Sequence, residues 1–137
     1  MEEKIPFGDY TQFGMPIYSG NLSYICNVET EEGHYELNLS KFRGPLMSIK
    51  LDGKDMGMVA FSPYKIDLGN LSAGKHEIEV TSFGHRFNTF GALHHTNDRV
   101  KWAGPDAWRS TGEEYTKLYN LVPMGILKEP MLIKIKD

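Results

Sequence analysis

Apolar and polar positions alternate along most of this chain. In the run from Tyr18 to Val28, Leu22, Tyr24, Cys26 and Val28 are opposed by Ser23, Asn27 and Glu29, the period of two expected of a half-buried strand. An acidic turn, Glu29-Thr-Glu-Glu32, leads to Gly33 and a second run, in which Tyr35, Leu37 and Leu39 face one way and His34, Glu36, Asn38 and Ser40 the other. Arg43-Gly-Pro45 breaks this strand, and Leu46 to Leu51 forms a third. The Asp52-Gly53 that follows predicts a tight hairpin, because a type I′ turn needs positive φ at both central residues. Asp55 to Phe61 is the returning strand, with Met56, Met58 and Ala60 on one face and Gly57 marking a bulge or a close approach.

Beyond Pro63, Tyr64 to Leu68 reads as a short strand and Gly69 to Gly74 as a turn-rich connection. Lys75 to Phe83 alternates again, and the parity of Ile78 and Val80 makes them core. Tyr115 to Val122 fits both periods: Tyr115, Lys117, Tyr119 and Leu121 alternate, while Leu118 and Val122 also suit a helical face. The strand is the preferred reading. In the last segment Met131, Ile133 and Ile135 are expected to face inward, leaving Leu132, Lys134 and Lys136 on a wet side that guards a sheet edge.

Short strands, frequent turns and almost no helix predict an all-β fold, an antiparallel two-sheet β-sandwich with jelly-roll topology. One domain is expected over residues 18–137. Residues 1–17 carry Pro6, Gly8, Gly14 and Pro16 among the aromatics Phe7, Tyr10 and Phe13, and read as an amino-terminal arm packed on the domain.

One stretch breaks the pattern. Between about residues 84 and 114 no period is sustained, yet the stretch holds both tryptophans and three of the five histidines. Connections in compact domains usually run to about four to six residues, so an irregular segment this long is either disordered or functional. Its aromatic content argues for an ordered loop with a small apolar cluster of its own, and binding is expected there.

Composition narrows the function. A chain of 137 residues with a net charge of −3 and no Lys/Arg cluster lacks the basic stripe of a nucleic-acid surface. No apolar run approaches the roughly 18 residues of a membrane span, and Met1-Glu-Glu-Lys4 is too acidic and polar for a signal peptide. A soluble chain contacting neither nucleic acid nor membrane is expected. With Cys26 as the single cysteine there is no internal disulfide, and its alternation with Val28 suggests a buried apolar thiol. The N-x-[ST] sequons at Asn21, Asn38 and Asn70 read as coincidence.

The run Ile49-Lys-Leu-Asp-Gly-Lys-Asp-Met-Gly-Met-Val-Ala-Phe-Ser-Pro63, then Ile66-Asp-Leu68 and Leu71-Ser-Ala-Gly-Lys-His-Glu-Ile-Glu-Val80, resembles the galactose-binding-like β-sandwich modules of multidomain bacterial glycoside hydrolases. The later Arg86-Phe-Asn-Thr-Phe-Gly-Ala-Leu-His94, Trp102-Ala-Gly-Pro-Asp-Ala-Trp108 and Tyr119-x-Leu-x-Pro-x-Gly125 look like their carboxy-terminal accessory domains. The resemblance spans residues 18–136. It implies a non-catalytic module of a longer polypeptide, partnered by carbohydrate or by a neighbouring catalytic domain. No cofactor is implied, although some related modules hold a structural calcium in a backbone-carbonyl site.

Within the loop, Trp102 and Trp108 offer flat indole faces on which a pyranose can stack, or they form the core of the loop itself. Asn88, His94 and Arg99 are the candidate polar contacts beside them. His85, His94, His95 and Asp98 carry metal-donor atoms, but adjacent histidines on an extended chain point apart and neither HxH nor HExxH occurs. Hydrolysis of a glycoside needs two flanking carboxylates, for which only Asp98, Asp106, Glu113 and Glu114 lie in or near the loop. A GxSxG elbow is absent. The leading expectation is thus a carbohydrate-binding or bracing module. The alternatives are a purely structural protein-interaction domain and a small cupin-like enzyme with histidine-bound metal.

Overall fold

In a computed structural model, which describes residues 6–97 and 104–136, the Asp52-Gly53 turn closes a hairpin with φ of 49° and 78° at its two central residues. The strands it joins, β4 (Met47–Leu51) and β5 (Lys54–Val59), form the edge of a four-stranded antiparallel sheet. Its order is β1-β7-β4-β5, with β1 spanning Leu22–Thr30 and β7 Gly74–Ser82. A second sheet places β2 (Gly33–Asn38) between β6 (Lys65–Leu71) and β9 (Met131–Ile135). A two-stranded ribbon pairs β3 (Phe42–Arg43) with β8 (Gly125–Ile126).

The architecture is the expected all-β antiparallel sandwich. Inner-face residues of both sheets and of the ribbon form one core: Tyr24, Met47, Ile49, Val59, Ile78 and Val80 from the first, Tyr35, Leu37, Leu68 and Leu71 from the second, and Ile126 from the ribbon. Each side chain of this size contributes roughly 1.5–3 kcal/mol on full burial, which is why the alternation decides the fold. Tyr24, Ile78 and Val80 lie on the faces their spacing predicts.

Three expectations change. In β5 the register slips between Ile49 and Lys50, at Gly57, whose φ is 114°. The bulge is where the glycine suggested it, but the extra residue inverts the parity beyond it. Met56 packs on the core, Val59 is buried and Met58 is 68% exposed. In β9 the register sets Leu132 opposite Leu37, so Leu132 faces the core and Met131, Ile133 and Ile135 share the outer face with Asn38, Glu36 and His34. Lys134 lies on the inner face near the rim and reaches Glu31 at 3.1 Å. The basic residues therefore do not mark the wet side. Finally, residues 115–122 form no strand: their backbone groups are taken by the loop described below.

The residues before β1 lie along β8. Phe7 stacks on Tyr24 with ring centres 5.6 Å apart, Gly8 donates its N–H to the Ile126 carbonyl at 2.8 Å, and Tyr10 donates to Met124 at 3.1 Å. Asp9 caps the turn at Tyr10–Gln12 and accepts the Met124 N–H at 3.0 Å. Gly125 must be glycine here. Its φ is 98°, and a Cβ would stand 2.6 Å from the Tyr24 hydroxyl and 2.7 Å from the Tyr10 ring.

Candidate functional site

The long loop leaves β7 at Ser82 and is ordered by its own hydrogen bonds. A single helical turn, α1 (Phe87–Phe90), is closed by Phe90 and Gly91 donating to the Arg86 and Phe87 carbonyls at 2.8 and 2.7 Å. A second turn, Pro105–Ala107, begins with proline, as the missing N–H of that residue allows. Residues 93–96 then run beside residues 114–120: Thr96 donates to Glu114, Thr116 to His94 and Asn120 to Leu93, at 2.8–2.9 Å, and His95 bridges Tyr115. This pairing replaces the strand that alternation predicted over 115–122.

Asn88 locks the loop to the domain. It is 0% exposed, its amide donates to the Val122 carbonyl and its oxygen accepts the Val122 N–H, each at 2.8 Å. It thus lies under the loop and not on its surface. Thr89, next in the turn, donates to the Ile17 carbonyl at 2.8 Å and ties the lead-in segment to the same place.

Above this base lies a cleft of about 440 Å³, walled by Phe90, Leu93, His94, Trp108, Arg109 and Ser110. The structure thus brings Trp108 and His94 together in one cleft. Trp108 is 50% exposed, and its indole N–H donates to the Phe90 carbonyl at 3.0 Å. His94 donates Nδ1–H to the Thr116 carbonyl at 3.0 Å, and its ring lies 4.6 Å from that of Tyr119. Trp102 and Arg99, the other two binding candidates, fall outside the described residues, as does Asp98.

Arg109 and Glu114 of the loop neutralise each other. Arg109 directs Nε and Nη2 to Glu114 Oε2 at 2.8 and 2.7 Å, while Nη1 donates to the Asp106 and Trp108 carbonyls. The guanidinium holds the Glu114 carboxyl below the usual carboxylate range. His95 is buried, accepts the Asn97 N–H at Nδ1, receives the Asn120 amide at its carbonyl, and has Nε2 3.8 Å from Glu114. His85 accepts the Phe87 N–H at Nδ1, and burial pushes its pKa down. Among the described residues, no three His, Cys, Asp or Glu side chains converge as a metal site would require.

Sequence reasoning found Trp108 and His94 but missed Phe90 and Leu93, which complete the apolar wall. Their signal was the Phe-x-x-Phe spacing of residues 87 and 90, one helical turn apart. Exposed Leu118 and Tyr119 extend the apolar character of the same loop.

No protein-family model matches the sequence, and no curated protein matches it significantly. Solved structures similar to it include two glycoside hydrolases. The rhamnosidase from Novosphingobium sp. PP1Y superposes with a TM-score of 0.59 at 20% identity over 85% of this chain, a likeness of fold. A GH2 β-galacturonidase from Eisenbergiella tayi, solved with glycerol bound, superposes with a TM-score of 0.51 at 28% identity over 71% of this chain. The chain spans 11% and 17% of those two proteins, respectively. Both are glycoside hydrolases, and what is matched is a small part of each.

Proposed function

We propose that this chain is a non-catalytic accessory module of a glycoside hydrolase, galactose-binding-like and of jelly-roll topology, and that the Trp108 cleft docks on a neighbouring catalytic domain of the same polypeptide. One observation carries the docking reading. The cleft exposes the faces of Trp108 and Phe90 while the indole N–H, the Arg109 guanidinium and the His94 Nδ1–H are all used inside the loop. A wall of bare rings whose indole N–H, guanidinium and imidazole Nδ1–H are spent suits an apolar partner surface better than a ligand dense in hydroxyls, which needs convergent polar groups to orient it.

Among the acids, Glu114 argues against a catalytic role. A general acid must hold its proton near neutral pH, whereas Glu114 is kept ionised by Arg109. A second reading, stacking of a neutral sugar on the half-exposed Trp108 face, is favoured by the size of the cleft.

Three measurements separate these readings. The purified chain, tested on a panel of aryl glycosides, is expected to give no turnover above buffer. In the polypeptide that carries a catalytic domain, Trp108→Ala is expected to lower the melting temperature of that domain and to open the junction to protease. Turnover by the isolated chain overturns the accessory reading. An unchanged junction, together with tryptophan quenching by a neutral oligosaccharide, overturns docking in favour of stacking.

A further inference from the structure

A smaller cleft of about 250 Å³ lies beside the β3-β8 ribbon, lined by Ser40, Lys41, Phe42, Arg43, Gly44 and Tyr64. Lys41, just before β3, and Arg43 within it are exposed, while Phe42 between them packs against the core. Phe42 turns its ring edge-on to Tyr64, with centres 5.1 Å apart and planes at 79°. The two cations and the aromatic pair all border the one hollow.

The backbone beneath them is held. Lys41 accepts the N–H groups of Leu127 and Lys128 at 3.0 and 3.2 Å, and Phe42 and Arg43 pair with Ile126 and Gly125. Tyr64 stands at φ 52°, a left-handed conformation that is costly for a bulky residue, and is fixed by its N–H donating to Phe61 at 3.0 Å and its carbonyl accepting from Leu39 at 2.9 Å. Gly44, at φ 149°, lets the chain pass so close to β7 that a Cβ would sit 2.9 Å from the Phe83 carbonyl. These constraints place the four polar side chains on a rigid frame.

What distinguishes this cleft is its unused chemistry. In the Trp108 cleft Arg109 is neutralised by Glu114. Here neither Lys41 nor Arg43 has an acidic partner, and neither the Ser40 nor the Tyr64 hydroxyl has a protein partner, among the described residues. A guanidinium fork fits a carboxylate with two parallel hydrogen bonds, and an ammonium adds charge. Hydroxyls of serine and tyrosine suit further hydroxyls, and an aromatic face suits a C–H ring face. The volume lies slightly below the roughly 300 Å³ at which small-ligand pockets begin, which suits one ring and not a chain of them.

We infer that the Ser40–Tyr64 cleft is a binding site for a single carboxylate-bearing sugar residue of the uronate class, with Arg43 and Lys41 on the carboxylate and Tyr64 and Ser40 on the ring. The site is separate from the Trp108 cleft and does not depend on the docking reading.

Isothermal titration calorimetry of the full chain with D-galacturonate, D-galactose and acetate tests it. Galacturonate is expected to bind at least tenfold more tightly than either of the others, because galactose lacks the charge and acetate lacks the ring. A Lys41→Gln/Arg43→Gln double variant changes two exposed side chains, so its melting temperature is expected to stay unchanged while galacturonate affinity falls at least tenfold. Tyr64→Phe, which keeps the ring, is expected to weaken binding by less than the double variant does. Absence of galacturonate binding, acetate binding as tightly as galacturonate, or unaltered affinity in a folded double variant each overturns the assignment.

Discussion

The carboxylate of Asp52 and the imidazole of His76 are 2.7 Å apart, joining the β4-β5 turn to β7. Asp52 Oδ2 takes the His76 Nδ1–H, Oδ1 takes the Glu77 N–H at 2.8 Å, and the Asp52 N–H donates to the Glu77 carbonyl at 2.8 Å. His76 Nε2 lies 3.1 Å from the Ser72 carbonyl oxygen. Both partners of the ring are acceptors, so both ring nitrogens donate and the histidine is an imidazolium when the staple is complete.

The staple makes stability depend on pH in two directions. The hydrogen bond to Asp52, then that to Ser72, raises the His76 pKa above its ordinary 6.5, so the folded state binds a proton that the unfolded chain releases. This contribution is fully present below about pH 6.5 and is lost as pH rises through the raised value. His76, then the Glu77 N–H, lowers Asp52 below its ordinary 3.8, so its contribution is present above that value and is lost as pH falls through the folded pKa. The melting temperature is therefore expected to decline as pH rises past about 6.5 and through the raised His76 value, and Asp52→Asn to flatten that decline. NMR titration of the His76 ring is the direct check: an ordinary pKa in the native chain would remove the staple from the account.

Asn88 supports a different prediction, about the loop. Replacing it with alanine leaves the half-buried Val122 N–H and carbonyl without their partner, at up to about 1–3 kcal/mol for each group left unsatisfied. Asn88→Asp is expected to fare no better, because a carboxylate accepts the N–H but sets an oxygen against the carbonyl. Urea denaturation should show a loss of roughly 2–4 kcal/mol for Asn88→Ala. Hydrogen exchange at the Val122 amide should accelerate in both variants.

Such residues also show where sequence reasoning stops. Asp52-Gly53 and the Ile78-Val80 alternation were legible because a turn and a pleat are local. The face of β9 was not, since choosing between three apolar residues and one requires knowing that Leu132 meets Leu37 across the sheet. In residues 115–122 an apparent strand period lost to partners far away in sequence, Asn88 and the 93–96 segment. Trp108 and His94 stood out by residue type and do share a cleft. Lys41 and Arg43 did not, because two cations two residues apart look like any solvated strand face until the fold sets them with Phe42 and Tyr64 around one hollow.

The β5 bulge can be tested by parity. Met58→Lys alters an exposed side chain and is expected to change stability by no more than about 0.5 kcal/mol. Val59→Asp, one residue on, buries an unpaired carboxylate and should cost about 3–5 kcal/mol. Gly57→Ala meets only the Ile66 side chain at 3.6 Å, so its cost is conformational, about 1–3 kcal/mol for alanine at φ 114°. A uniform strand without a bulge would reverse the first two results, and thermal melts of the three variants decide between them.

Cys26 lies where the two sheets part, on a cavity of about 100 Å³ shared with Phe7, Val28, Leu132 and Glu129. Burial, and after it the negative charge of Glu129, raise the thiol pKa above its ordinary 9.0, so little thiolate exists near neutrality. Because the thiolate is the nucleophile, alkylation by iodoacetamide at pH 7.5 is expected to be slower in the native chain than in urea. Glu129→Gln removes the charge and leaves the burial, and should speed the native reaction without changing the rate in urea. Equal native and unfolded rates would mean that the gap between β1 and β9 stands open to water, and that the half-buried Cys26 is a reactive thiol and not an apolar filler of the core edge.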